Sequence, residues 1–158
     1  LASFITPVTD VFKSLRMNEV IAEGGNSAVI QRILSKERPV GAVLLENILR
    51  HKDKSVVLKY VFPEDGAIII SNVMGITKKE GSRKNAERFV AWMLERDGQN
   101  AMIRSYMYSP LPGYAPPDGA PAISEIQKKA FQVTPELLTE LMKSRNEIKE
   151  KYAKIMFE

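Results

Sequence analysis

Residues 56–77 read Val56-Val57-Leu58-Lys59-Tyr60-Val61-Phe62-Pro63-Glu64-Asp65-Gly66-Ala67-Ile68-Ile69-Ile70-Ser71-Asn72-Val73-Met74-Gly75-Ile76-Thr77. Two β-branched, apolar runs flank Pro-Glu-Asp-Gly, a combination that favours a tight turn between strands. The pattern predicts strands at Val56–Val61 and Ala67–Ser71, with another at Val73–Thr77. Working back, Gly41-Ala42-Val43-Leu44-Leu45 is a continuous apolar run, the mark of a strand buried on both faces. Residues 46–52 read as a short helix or turn. Gly24-Gly25-Asn26-Ser27 opens an amphipathic helix carrying Val29, Ile30, Ile33 and Leu34 to about Lys36, and Pro39 ends it. Val8, Val11, Phe12 and Leu15 predict a helix over 8–16, and Glu19–Ala22 a brief strand.

Forward of the turn, Ala86, Phe89, Val90, Trp92, Met93 and Leu94 predict a helix from Ser82 to Arg96. Asp97-Gly98 interrupts it, and Gln99 to Tyr106 restarts it. Residues 109–122 hold five prolines, so they form neither helix nor central strand but an extended connection. Thr134-Pro135-Glu136 supplies a cap, a first-turn proline and a first-turn acid for a last helix reaching Met156. Strands alternating with helices define the α/β class. The expected body is a mixed sheet of 41–45, 56–61 and 67–77, with helices 26–36 and 83–96 packed on it.

The composition bounds the function. The chain has 158 residues, 44% of them hydrophobic and 27% charged, as expected of one globular domain. No apolar run approaches the about 20 residues that span a bilayer. The formal net charge of +4 comes from basic residues interleaved with acids, as in Lys78-Lys79-Glu80, rather than from a stripe that would track nucleic acid. The absence of cysteine excludes disulfides, zinc-thiolate sites and thiol catalysis, and suits cytoplasm and periplasm alike. No nucleophile elbow, phosphate-binding loop, dinucleotide fingerprint or zinc-protease motif occurs, so an enzyme is not expected and no cofactor is implied.

Three places carry a physical case for a ligand. Asn26 and Ser27 stand at a helix start, where free N–H groups and the helix dipole suit an anion; simple capping explains the same residues. Glu46 and Asn47 follow the expected buried strand, and ligands of open α/β sheets sit at strand C-terminal ends; here too capping is an alternative. Asp65, beside Glu64, is either a hinge or ligand residue or simply a turn former. The single histidine, His51, lies between charged neighbours and reads as a solvated side chain. Tyr106, Tyr108 and Tyr114 read as residues that pack the proline-rich stretch onto the body, and Met74, Met93, Met102, Met107 and Met142 as core filling. No metal-ligand cluster is readable.

Taken in order, several segments resemble a known family. They are Asn26-Ser27 at a helix start, Val40-Gly41, the turn Pro63-Glu64-Asp65-Gly66 with the strand after it, Asn85-Ala86-Glu87-Arg88-Phe89-Val90 through Met93-Leu94, and Gly98-Gln99. Over residues 10–122 the chain is similar to the C-terminal half of extracellular solute-binding proteins of ABC importers, in the branch that includes ferric-iron and 2-aminoethylphosphonate binders. The resemblance implies a type II periplasmic-binding-protein-like α/β lobe over 1–104, a Pro/Gly-rich connection over 105–122 and a helical segment over 123–158. It implies a small anionic solute held in an inter-lobe cleft, a membrane permease as partner, and a periplasmic or extracellular location. A full member is about twice as long, so the chain is expected to be a second-lobe fragment that self-associates, for instance by exchanging its C-terminal helix. Where iron-binding relatives carry adjacent tyrosines, this chain reads Leu45-Glu46-Asn47-Ile48, which argues against ferric iron. A ligand-sensing domain of a signalling protein is the alternative with the same fold.

Overall fold

Apolar residues at helical spacing decide the architecture. The computed structural model describes residues 2–52, 58–78, 81 and 83–158. Seven helices occur among them: α1 (Ala2–Met17), α2 (Asn26–Leu34), α3 (Leu45–Lys52), α4 (Arg83–Leu94), α5 (Arg96–Arg104), α6 (Ile123–Lys128) and α7 (Pro135–Phe157). The helices expected from periodicity are present and α6 is an additional one, but the break between α4 and α5 falls at Glu95, with Asp97 and Gly98 inside α5 rather than between the two helices. Residues 109–122 are an irregular connection, as their prolines require.

The mixed sheet is a different matter: the expected α/β lobe is not formed. Among the described residues there is no sheet, only one isolated parallel bridge between Ala67 and Ala130. Residues 58–63 and 68–77 run without helix or strand, and Val56 and Val57 lie outside the described residues. Residues 41–44 are irregular and Leu45 already belongs to α3, while 20–23 carry no strand. The physical reason is that strand propensity measures fit to a neighbouring strand, and these runs have no neighbour beside them. The 41–44 run packs instead on a helix: a side chain at Gly41 would strike Val29 and Ile33 of α2. The run after the turn stays open to solvent, with Ile68 71% and Val73 94% exposed, the opposite of a strand buried on both faces.

The chain divides into two compact units, residues 24–131 and residues 1–23 with 132–158. In the second of these, α1 and α7 pack together. Phe12 meets Tyr152 edge to face with ring centroids 5.1 Å apart, and the Arg16 guanidinium donates to the Met156 carbonyl. Both contacts join residues 140 positions apart, so the two helices run parallel. Met156 is buried there, while Leu138, Leu141 and Met142, toward the start of α7, are exposed. Thr134 caps α7 as its sequence demands, its hydroxyl accepting from the Leu137 N–H at 3.2 Å.

In the 24–131 unit, Ile30 of α2, Leu49 of α3, Ile126 of α6 and Pro117 of the proline-rich connection are buried. Among the described residues one polar side chain, Gln99, is buried with them. Its Nε2 donates to the Met93 carbonyl and its Oε1 accepts from the Ser109 hydroxyl, each at 2.6 Å. Gly98 beside it admits no Cβ, because the Trp92 carbonyl and the Met93 backbone occupy that space. The Gly-Gln pair therefore lets α5 start directly against the end of α4.

The helix ends share a less usual device. After α1, the Glu19 and Val20 N–H groups donate to the Arg16 and Leu15 carbonyls; after α5, Tyr106 and Met107 donate to Ile103 and Met102. Glu19, Lys36 and Tyr106 each take the left-handed conformation that such terminations need, a place usually filled by glycine. An L side chain there costs about 1–2 kcal/mol. Lys36 is exposed, so Lys36→Gly should raise unfolding free energy by about 0.5–1 kcal/mol after the entropy of glycine is subtracted. Gln99→Ala should lower it by about 2–3 kcal/mol, since the Met93 carbonyl loses its donor and the Ser109 hydroxyl one of its partners at a buried position. Urea unfolding followed by helical circular dichroism measures both.

Candidate functional site

The larger hollow of the 24–131 unit encloses about 690 Å³. Its walls come from the start of α3 (Leu44, Leu45, Glu46), the irregular run Ala67–Asn72 with Phe62, the end of α5 with the adjoining chain (Met102, Tyr106 to Pro112), and α6 (Ile123, Ile126, Gln127). A concave, largely apolar surface with a few converging polar groups is what small-molecule sites look like. The polar groups are the Glu46 carboxylate, the Ser71 and Ser109 hydroxyls, the Asn72 and Gln127 amides and two phenols, Tyr106 and Tyr108. Glu46 is the one charged lining residue among those described.

The start of α3 is set by a long-range bond. The Asn26 Oδ1 accepts from the Leu44 N–H at 3.1 Å, and the Asn47 N–H donates to the Leu44 carbonyl at 3.0 Å. The N–H groups of Leu45 and Glu46 have no acceptor among the described residues. They carry the positive end of the helix dipole beside the hollow. Opposite, the left-handed Tyr106 turns the chain sharply out of α5, so that Met107, Tyr108 and Ser109 follow the cavity wall. Strained residues of this sort cluster at binding sites because the surrounding fold must hold them.

Tyr108 is held by its own hydroxyl, which donates to the Pro121 carbonyl at 2.7 Å. Burial, then the neighbouring Tyr60 and Glu125, push its phenol up to about 12. Tyr60 makes a matching bond to the Gly119 carbonyl at 3.1 Å.

The five residues singled out in the sequence do not converge on one place. Glu46 lines the larger hollow. Asp65 lines a second one of about 620 Å³, formed by Phe62–Asp65 and Lys128–Ala130. Asn26 is a positioning residue for Leu44 rather than a cap, since the N-cap of α2 is Gly25. Ser27 is exposed and borders neither hollow, and Asn47 is half-buried with its carbonyl 2.8 Å from the His51 Nδ1. That contact makes His51 a half-buried helix residue, not the freely solvated one expected. Ser71, Asn72, Tyr106 and Gln127 join the site unannounced; the positive φ of Tyr106 and the chain path that gathers them leave no sequence signal.

With this geometry in place, comparison with known proteins supplies the family. The family described as bacterial extracellular solute-binding protein matches residues 3–143. The chain belongs to it. No curated protein and no solved structure matches the chain. A solute-binding family is a binding family, with a role in transport, and its members work outside the cytoplasm. Among the described residues no helix is long and apolar enough to cross a membrane.

Ultraviolet titration of the phenolate band should find Tyr108 ionising near 12. Because the folded value lies above the unfolded value of about 10, its contribution to stability is complete below pH 10. It disappears as pH rises through 12. In Tyr108→Phe this alkaline loss of stability should shrink.

Proposed function

We propose that this solute-binding family member is the binding component, or part of one, of an ABC import system, that it works in the periplasm or outside the cell, and that it presents a small solute to a membrane permease. The observation that carries the reading is the hollow at the start of α3. Two unpartnered N–H groups and the Glu46 carboxylate lie together at one edge of it, with apolar walls elsewhere. The N–H groups suit an anionic group. Glu46 opposes a simple anion and suits an ammonium. Together they suit a compact solute bearing both charges, which is the chemistry of the aminophosphonate side of the branch that the sequence resembles. Ferric iron fits less well, because hard cations want several oxygen anions and one carboxylate lines this hollow.

Selection between a ligand-free and a ligand-bound form would follow differential affinity, whatever the amplitude of the movement. A thermal-shift screen of the chain against 2-aminoethylphosphonate, inorganic phosphate, putrescine and ferric citrate tests the reading. The aminophosphonate should raise Tm in proportion to the logarithm of its concentration. Glu46→Gln should weaken it about tenfold, the removal of one charge-assisted contact worth about 1.4 kcal/mol, and leave phosphate unweakened. No response to any of the four, with the helical signal intact, would refute a solute site here.

A further inference from the structure

Helix α4 has a face that the packing of its unit leaves uncovered. Successive residues of a helix step about 100° around its axis. Ala86, Val90 and Met93 fall on one side and are half-buried; no residue of the helix is fully buried. Lys84, Asn85, Arg88, Phe89 and Trp92 fall on another side and are exposed. Phe89 is 53% and Trp92 37% exposed, with their ring centroids 5.8 Å apart. The Trp92 indole N–H has no acceptor among the described residues. Lys84 and Arg88, one turn apart, form a column beside the two rings. The acid of the helix, Glu87, is held by the Arg83 guanidinium at 2.8 Å. Lys84 and Arg88 are therefore left without an ion pair among the described residues.

We propose that this face of α4 lies on an anionic phospholipid bilayer, with the helix axis in the plane of the interface. Three features select that occupant. An indole with an apolar ring and an unpartnered N–H suits the boundary that offers hydrocarbon to one and phosphate oxygens to the other. Unpaired bases on the flank of the rings complement anionic headgroups, the pattern of helices that lie on a membrane rather than cross it. Side-chain anchors of a protein partner seat in pockets, and no residue of α4 lines either hollow. Two rings and two free bases give a weak, reversible attachment. It uses none of the residues that line the solute hollow, so it stands whether or not that hollow takes a solute.

Trp92 is the one tryptophan of the chain, so its emission reads this face directly. Titrated with vesicles of phosphatidylglycerol and phosphatidylcholine, the full chain should emit at shorter wavelength, and lipids brominated on the acyl chain should quench it. Vesicles of phosphatidylcholine alone should bind about tenfold more weakly, and salt at about 0.5 M should release the chain. Lys84→Gln/Arg88→Gln should abolish the preference for anionic lipid with the helical circular dichroism unchanged. Phe89→Ser should weaken binding about tenfold through its lost apolar area. An emission unmoved by anionic vesicles overturns the proposal. So does equal binding to neutral vesicles, or binding that the Lys84/Arg88 double variant leaves intact. A blue shift that appears on concentrating the chain without lipid overturns it too, and assigns the face to a second copy.

Discussion

The 24–131 unit depends on one dry amide. Gln99 is the polar side chain buried among the apolar ones, and both ends of its carboxamide are used. One bond closes the junction of α4 with α5, and the other pins Ser109 where the proline-rich connection begins. Ser109 in turn accepts from the Leu111 N–H at 3.0 Å, so the first turn of that connection hangs from the same group. Burying an amide is tolerable only when its hydrogen bonds are made, and for that reason it specifies geometry in a way that an apolar residue of equal size would not. Gly98 is the steric half of the same constraint. Without a Cβ, the start of α5 reaches the backbone of α4 closely enough for Gln99 to find the Met93 carbonyl. The end of α5, and with it the wall of the hollow, is placed by that junction.

Helix boundaries were legible in the sequence only where side-chain chemistry marks them; α1 begins at Ala2 rather than at 8, and α3 begins at Leu45 inside an expected strand. Thr134-Pro135-Glu136 signals its boundary by side-chain chemistry that acts locally, whereas the break expected at Asp97-Gly98 falls at Glu95 and leaves both residues inside α5. The ends of α1 and α5, by contrast, are closed by backbone bonds around left-handed Glu19 and Tyr106, residues that carry no such signal. The strand expectations failed for a related reason. Ile68-Ile69-Ile70 has a local preference for extended backbone, yet it belongs to no strand. Whether an extended run becomes part of a sheet depends on what lies alongside, which is a property of the whole chain path. The unbroken apolar run at 41–45 is not buried on both faces either, since Leu44 is 38% exposed.

The candidate site shows the same division. Glu46 is legible because it follows an apolar run and opens a helix, a local arrangement. Asn26 stands at the expected position but plays a different part. Its side chain reaches 18 residues along the chain to Leu44 instead of serving its own helix. Tyr106, Asn72 and Gln127 come from three separate segments, and only folding brings them to one hollow. Family membership was legible from the order of many weak segments, a kind of signal that survives even when the secondary structure assigned to some of them is wrong.

The bonds that Tyr60 and Tyr108 make to the connection end on main-chain carbonyls, at Gly119 and Pro121. A carbonyl is present whatever side chain the residue carries. The anchorage is therefore indifferent to the identity of the anchored residues, provided the backbone path is kept. Mutational drift at Asp118 or Ala120 leaves both acceptors in place, whereas loss of either phenol removes a donor that no substitution within the connection can replace. The contact thus asks little of the side chains at Asp118 and Ala120, whereas it needs both phenols as donors and a left-handed Gly119.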